Sequence, residues 1–399
     1  MNDIEMKQIW IRFNANISAL WMFADRISQV ADAEDHEQIF QLAQKVAFLF
    51  DESPGEVEKE LVQFVKVADE AEVEPNMQDQ AQFQDVTDAF QSGDFKNSAQ
   101  KWLRRYPKKN RQFVGLIRSI FEPVAANGIL LRRSSFVLLV SFFESLIVDL
   151  LTMYFTSNPN IKVNEHIINR GTFPDRLKLL GTTGADLVPF EPLKQNTLEI
   201  IRRRNLLTHH DGIIDLDFIN HTTRINPKFA PGRRLRISQT YLIQSIESTL
   251  QYSYLIFQKC WRAWVGGNHE EADKHFNDTL VSLLSHNHNE IVVQLTNWGK
   301  EFQLSRLNWQ ILVVNHAIAL RDLGLKSEMH KLIDSEIRKP IPMQVRFAVH
   351  ILKEEYDSAL IHFSQLAKNG KLRQLSAELP LFKPILSDQR FIPYLDRIR

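Results

Sequence analysis

One cysteine, Cys260, in a chain of 399 residues leaves no internal disulfide and no thiolate cage for a metal. That fits a reducing compartment, so the cytosol is the expected location. Glycine is scarce at 14 residues, and strict polar–apolar alternation is almost missing, so strands should be few or absent. Neither sign of charge is in excess: Lys plus Arg and Asp plus Glu are both 48. No net field therefore draws the whole chain onto nucleic acid or a membrane, and a charged partner must be met by a local patch. The start, MNDIEMKQIW, lacks the basic and apolar stretches of a secretory signal, so no export is expected. The one long apolar run, Phe136 to Phe155, is interrupted by Glu144 and Asp149. Ionised groups at that depth in lipid are costly, and the run reads as a core helix rather than a membrane span.

Several chemical signatures are also missing. No GxxxxGK[ST], no GxGxxG after a strand, no GxSxG and no HExxH occurs. Nucleotide hydrolysis, dinucleotide redox chemistry, esterase and zincin activities are weakened accordingly. HNHNE holds His286 and His288, but residues two apart point to different helix faces and no third ligand is close in sequence. An exposed turn is expected there, with no metal and no cofactor.

What is present is helical. Apolar residues make up 44% and charged residues 24%, the values of a soluble globular protein with two or three domains. Long stretches repeat apolar residues every three or four positions, as an all-α fold requires. Trp10, Ile11, Phe13, Ile17, Leu20, Trp21, Ile27 and Val30 set this pattern at the start. From Ala31 to Asp88 acidic residues dominate, broken by DESPGE and EVEPN, as in a solvated acidic helical hairpin or an acidic partner-binding surface. KWLRRYPKKNRQF then reverses the sign, bringing Lys101, Arg104, Arg105, Lys108, Lys109 and Arg111 together with Trp102, Tyr106 and Phe113. Such a run is either an exposed linker or a surface that grips phosphates and stacks bases. The expected organisation is an acidic helical region over 1–108, a compact helical domain over 109–265 and a helical region over 266–399.

The informative segment is LKQNTLEIIRRRNLLTHHDGIID. It predicts a helix starting after Pro192, ending near His209 to Asp211 and stopped by Gly212. At roughly 100° per residue, Arg204 falls in the middle of an apolar face formed by Leu193, Thr197, Ile200, Ile201, Leu207 and Thr208, with Arg202 nearly opposite. A buried guanidinium needs an anion. Ser141, Glu144, Ser145, Asp149 and Thr152 form one polar stripe on the preceding apolar helix, and Glu144 is the expected partner of Arg204, bidentate where geometry allows. Asn205 and His209 share a side of the helix about 140° from Arg204. One regular helix does not focus all three on a single phosphate. An unwound last turn near Gly212, or a second copy of the helix, would complete the site, and two copies would also supply the acid and the base that phosphodiester transfer needs.

At these residues the chain resembles the HEPN family (higher eukaryotes and prokaryotes nucleotide-binding) of helical RNases. RNLLTH gives Arg204, the polar Asn205 and His209 with four intervening residues. HDGIID resembles the exit that follows many such motifs, and SFFESLIVDLL resembles their earlier core helix with its embedded acid. The resemblance covers roughly residues 113–262. It implies a bundle that dimerises to form a composite site and cuts RNA without a metal, leaving a 2′,3′-cyclic phosphate. His209 would then be the acid–base residue, Arg204 would bind the scissile phosphate, and Asn205 would orient the phosphate or the histidine. Glu144 would be the acidic helper, whose place varies in the family. Arg203, His210, Lys108, Lys109 and Arg111 are further expected RNA contacts. The tyrosine that follows the histidine in HEPN toxins silenced by nucleotidyl transfer is replaced by Asp211, so that control is not expected.

By analogy the family implies a toxin or antiphage-defence effector, acting on RNA, tRNA among the candidates, with the flanking regions free to meet an antitoxin or a sensor. The C-terminal LKEEYDSALIHFSQLAKNGKL resembles one tetratricopeptide repeat, with Tyr356, Ala359, Leu360 and Phe363 in place, and LFKPILSDQRFIPYL resembles a segment that closes such arrays. Two other classes remain open: a non-catalytic HEPN-like scaffold that binds RNA or protein, and an adaptor that works through its C-terminal region.

Overall fold

Apolar residues three and four apart drive one side of the first helix, α1 (residues 3–24), into the core. Met6, Ile9, Trp10, Phe13, Ile17 and Leu20 are all buried there. The computed structural model describes residues 2–24, 124–163, 165–222, 229–267, 269–368 and 380–395, with a few single positions between 44 and 59. Most of the acidic 31–88 stretch, the basic run with Lys108, Lys109 and Arg111, and the expected 108/109 boundary lie outside the described residues.

The fold class is all-α. Among the described residues there is no β-strand, only an isolated antiparallel bridge between Ile213 and Arg234. After α1 come α2 (Val124–Ser157), α3 (Glu165–Arg170), α4 (Phe173–Gly181), α5 (Glu191–His209), α6 (Leu216–His221) and α7 (Gln239–Trp264). A capping box starts α4, with Thr172 and Asp175 each satisfying the other's backbone N–H. Ser238 accepts from the Tyr241 N–H to start α7.

Helix α7 is the axis of the molecule. Leu242, Ile246, Tyr252, Tyr254, Leu255, Ile256, Phe257 and Cys260 are buried all around it. From Thr249 to Gln258 every side chain is buried, polar Gln251, Ser253 and Gln258 included, so neighbours enclose this half of the helix. Helices α2 and α5 pack on α7, and Trp10 of α1 lies 4.7 Å from the Tyr254 ring and 5.1 Å from that of Phe257. Residues Leu130–Ser157 are long and apolar enough to cross a membrane by length and composition alone. In the fold Phe136, Leu139, Val140, Phe143, Leu146, Ile147, Leu150 and Leu151 of this stretch are buried in the common core.

Among the described residues, the helices between α7 and Lys368 form three hairpins: α8 (Glu270–Ser285) with α9 (Asn289–Asn297), α10 (Arg306–Asp322) with α11 (Lys326–Glu336), and α12 (Met343–Leu352) with α13 (Tyr356–Lys368). Each turns in the same way. A left-handed residue, Asn287, Gly324 or Glu354, ends the first helix. The next N–H then reaches back five residues, His288 to Leu283, Leu325 to Leu320 and Glu355 to His350, at 2.8–2.9 Å. The tail closes the last hairpin: Phe382 and Phe391, both fully buried, pack on Phe347 and Phe363, and a short helix, α14 (Ile392–Leu395), follows. One cluster of buried side chains runs from Met6 to Phe391, so the core continues across residues 265 and 266.

Two partly buried imidazoles tie this packing to pH. Burial holds His275 down to about 4, with Lys7 adding to the effect, and burial alone brings His316 to about 4. Both folded-state values lie below the ordinary 6.5, so between about pH 6.5 and 4 the unfolded chain binds protons that the folded chain does not. Stability should therefore fall as pH falls through that window. Urea unfolding at stepped pH measures the fall, and His275→Gln should make it shallower.

Candidate functional site

Helix α5 starts with Pro192 in its first turn, where a missing N–H leaves no bond unmade. It stays helical through His209. The Leu206 carbonyl then accepts from both the His210 N–H at 3.0 Å and the Gly212 N–H at 2.8 Å. Asp211 and Gly212 have φ of 50° and 77°, turning the chain back on itself. The Leu235 N–H donates to the Gly212 carbonyl at 2.7 Å, and the Ile214 N–H donates to that of Arg233 at 2.8 Å. A satellite core of Leu206, Ile214, Phe218, Phe229 and Leu235 fixes this end of the helix. A Cβ on Gly212 would sit 3.3 Å from the Leu235 carbonyl oxygen, in a backbone conformation that side chains resist. Gly212→Ala should cost about 1 to 3 kcal/mol in urea unfolding.

The three consecutive arginines go to three different places. Arg202 donates to the His221 carbonyl at 2.5 Å. Arg203 is fully buried and donates through Nε and Nη2 to Oε1 of Glu199 at 3.1 and 2.9 Å. Its guanidinium lies 4.0 Å from the centre of the Tyr241 ring and 5.3 Å from that of Phe229. Arg204 donates through Nη2 to Oε1 of Glu144 at 2.5 Å, with both side chains partly exposed. Its Nε is buried without a hydrogen-bond partner.

Two expectations are corrected here. Arg203, expected as an RNA contact, is enclosed on all sides and offers a strand no surface. Arg204, expected in the middle of the buried face, lies at its edge, and Glu144 holds it by a single contact rather than a bidentate one. The physical reason is that α5 is buried over a wider arc than its apolar face toward α7 alone. The satellite core covers a second side, so Glu199, Arg203 and Leu206 turn inward while Thr208 is left exposed.

Asn205, His209 and His210 are exposed. Because the helix is regular through His209, Arg204 and His209 diverge within one chain, and the backbone unwinds only after the histidine. Beside them lies a cluster that sequence reasoning missed. Arg133 Nη1 donates to Asp211 Oδ1 at 3.0 Å, and Arg234 Nη2 donates to Asp211 Oδ2 at 2.6 Å. Arg133 also donates to the Leu207 carbonyl, placing a cation where the helix dipole is negative. The hydrogen bond from Arg133, then the charge of Arg234, holds the Asp211 carboxyl below its ordinary value. The available signals were the Arg132–Arg133 pair opening an apolar helix and the Arg233–Arg234 pair after a Pro-Gly turn. Neither fixes a partner without the fold.

The HNHNE turn differs in part from expectation. His286 is exposed, but the His288 ring is partly buried, 3.9 Å from the centre of the Trp21 ring, and burial followed by the neighbouring His286 lowers its pKa. Among the described residues no group of three His, Cys, Asp or Glu side chains is placed to hold a metal ion. Comparisons of the chain with protein-family models, curated proteins and solved structures find no match.

Proposed function

We propose that the chain is a metal-independent endoribonuclease of HEPN type, with a site assembled from the α5 ends of two copies. The observation that carries this reading is the open end of α5. An exposed Asn205 directly follows Arg204 and an exposed His209 stands little more than a turn beyond it, while Glu144 holds Arg204 through one nitrogen only. Glu144 thus positions a guanidinium that still has donors for a phosphate. Arg133 and Arg234 add positive charge beside the histidine.

In this mechanism the 2′-oxygen of the substrate attacks the adjacent phosphorus and the bond to O5′ breaks, leaving a 2′,3′-cyclic phosphate and a 5′-hydroxyl. His209 of one copy takes the 2′-hydroxyl proton and the partner's His209 gives a proton to O5′. Arg204 stabilises the charge that grows on the phosphoryl oxygens, and Asn205 orients the phosphate. Two copies supply the divergent groups that a single regular helix does not focus. Leu131 and Leu138, 38% and 45% exposed on α2 near Arg133, offer an apolar surface for the pairing. The cellular role, by analogy, is that of a cytosolic toxin or antiphage effector acting on RNA such as tRNA, with the flanking helices meeting a sensor or antitoxin.

A second reading follows from the same ion pair. Arg204–Glu144 joins α2 to α5, which is also what a non-catalytic scaffold would need. Incubating the protein with tRNA or total RNA in EDTA, with its mass followed by light scattering, separates the two. Cleavage by a dimer supports the enzyme; an RNA-binding protein that never cuts supports the scaffold.

A further inference from the structure

A second cleft lies away from α5, between α1 and α8, floored by α7, with a volume of about 650 Å³. That is within the roughly 300 to 1,000 Å³ of small-molecule sites. On α1 the residues facing it, Trp10, Asn14, Ser18 and Trp21, fall at helical spacing, and α8 answers with His275, Asp278, Thr279 and Ser282. Three features restrict what fits. Trp21, partly exposed, supplies aromatic surface, which suits a flat ring, while Trp10 and Tyr254 are buried beneath it. Asn14, Ser18, Thr279 and Ser282 supply hydroxyl and amide groups, and Asp278 supplies a carboxyl group able to accept from a pair of sugar hydroxyls. Among the described residues no lysine or arginine lines the cleft; Lys7, close by in the sequence of α1, is tied to Glu271 at 2.6 Å.

Burial keeps His275 and His288 toward the neutral form, so they add hydrogen-bonding capacity rather than positive charge. Burial also raises the Asp278 pKa, against the pull of Lys274 and Lys7. A cleft with this lining repels a phosphate and welcomes an uncharged heterocycle. Groups perturbed by burial and gathered around one cavity are what a ligand site, more than a packing defect, tends to show. We infer that this cleft binds an unphosphorylated nucleoside, its base against Trp21 and its sugar toward Asp278 and Thr279. The inference stands apart from the nuclease reading, because no residue of α5 lines the cleft.

The test is titration of the full-length protein with adenosine, guanosine, cytidine and uridine, and with their 5′-monophosphates, followed by tryptophan fluorescence and calorimetry. At least one nucleoside should bind saturably and about tenfold more tightly than its monophosphate, as loss to charge repulsion and desolvation requires. Trp21→Ala should weaken it about tenfold or more through lost stacking. Asp278→Asn, which keeps shape, should weaken it by a similar factor. His209→Ala should bind the nucleoside as the wild type does, whether or not RNA is cut. Failure of all four nucleosides to bind, monophosphates binding equally well, or binding unchanged in both cleft variants would overturn the inference.

Discussion

Replacing His209 with alanine should abolish RNA cleavage and leave the fold untouched. The imidazole is exposed at the last turn of α5 and no side-chain hydrogen bond holds it among the described residues, so its removal opens no cavity and breaks no tie. Loss of general acid–base catalysis should cost about 10² to 10⁴ in rate, and more when one substitution removes both the acid and the base of a symmetric site. Thermal unfolding should coincide with that of the wild type. Arg204→Ala should be as inactive, losing about 10² to 10³ from transition-state charge alone, but it also breaks the α2–α5 ion pair. Glu144→Gln separates these effects, since it weakens the pair and spares the guanidinium. A catalytic Arg204 makes Arg204→Ala far less active than Glu144→Gln at equal stability. A merely structural Arg204 makes the two variants alike.

The largest stability effect should come from the neighbouring arginine. Arg203→Ala takes a buried ion-pair partner from Glu199, itself 4% exposed, and removes the guanidinium stacked on Tyr241 and Phe229. Breaking a buried pair from one side costs about 3 to 5 kcal/mol, a large share of the usual stability of a domain. Urea unfolding should show a lowered midpoint. Exchanging both partners, Glu199→Gln with Arg203→Met, should recover much of the loss because the pair is removed from both sides. At temperatures where Arg203→Ala remains folded, RNA binding should match the wild type, since the side chain never reaches the surface.

The parts of this molecule that were legible in the sequence are those set by local periodicity. The helical class, the burial of α1 through Trp10, Phe13 and Ile17, and the stop of α5 near Gly212 all follow from spacing and from one glycine that tolerates a positive φ. The Arg204–Glu144 contact was legible because an arginine on an apolar face needs an anion, and Glu144 stood on the polar stripe of the preceding apolar helix. What was not legible depends on second neighbours. A helical wheel assumes one buried side, so it placed Arg204 inside and missed Arg203, although the Glu199–Arg203 spacing of four was in plain view as an ion-pair signal. The meeting of Arg133 and Arg234 on Asp211 joins residues from α2 and from the segment before α7, which no local pattern links. The cleft beside Trp21 likewise exists only because α1 packs along α7 and α8.

The central claim is that paired α5 ends turn the substrate's own 2′-hydroxyl on its phosphate without a metal. End-group analysis by mass spectrometry of a short RNA, and of the same sequence with every 2′-hydroxyl removed, after incubation with wild-type protein in EDTA, tests it most directly. The account predicts products carrying 2′,3′-cyclic phosphate and 5′-hydroxyl ends from the RNA and an intact deoxy strand. Cleavage of the deoxy strand, 5′-phosphate products, or cutting that appears only when Mg²⁺ is restored would contradict it.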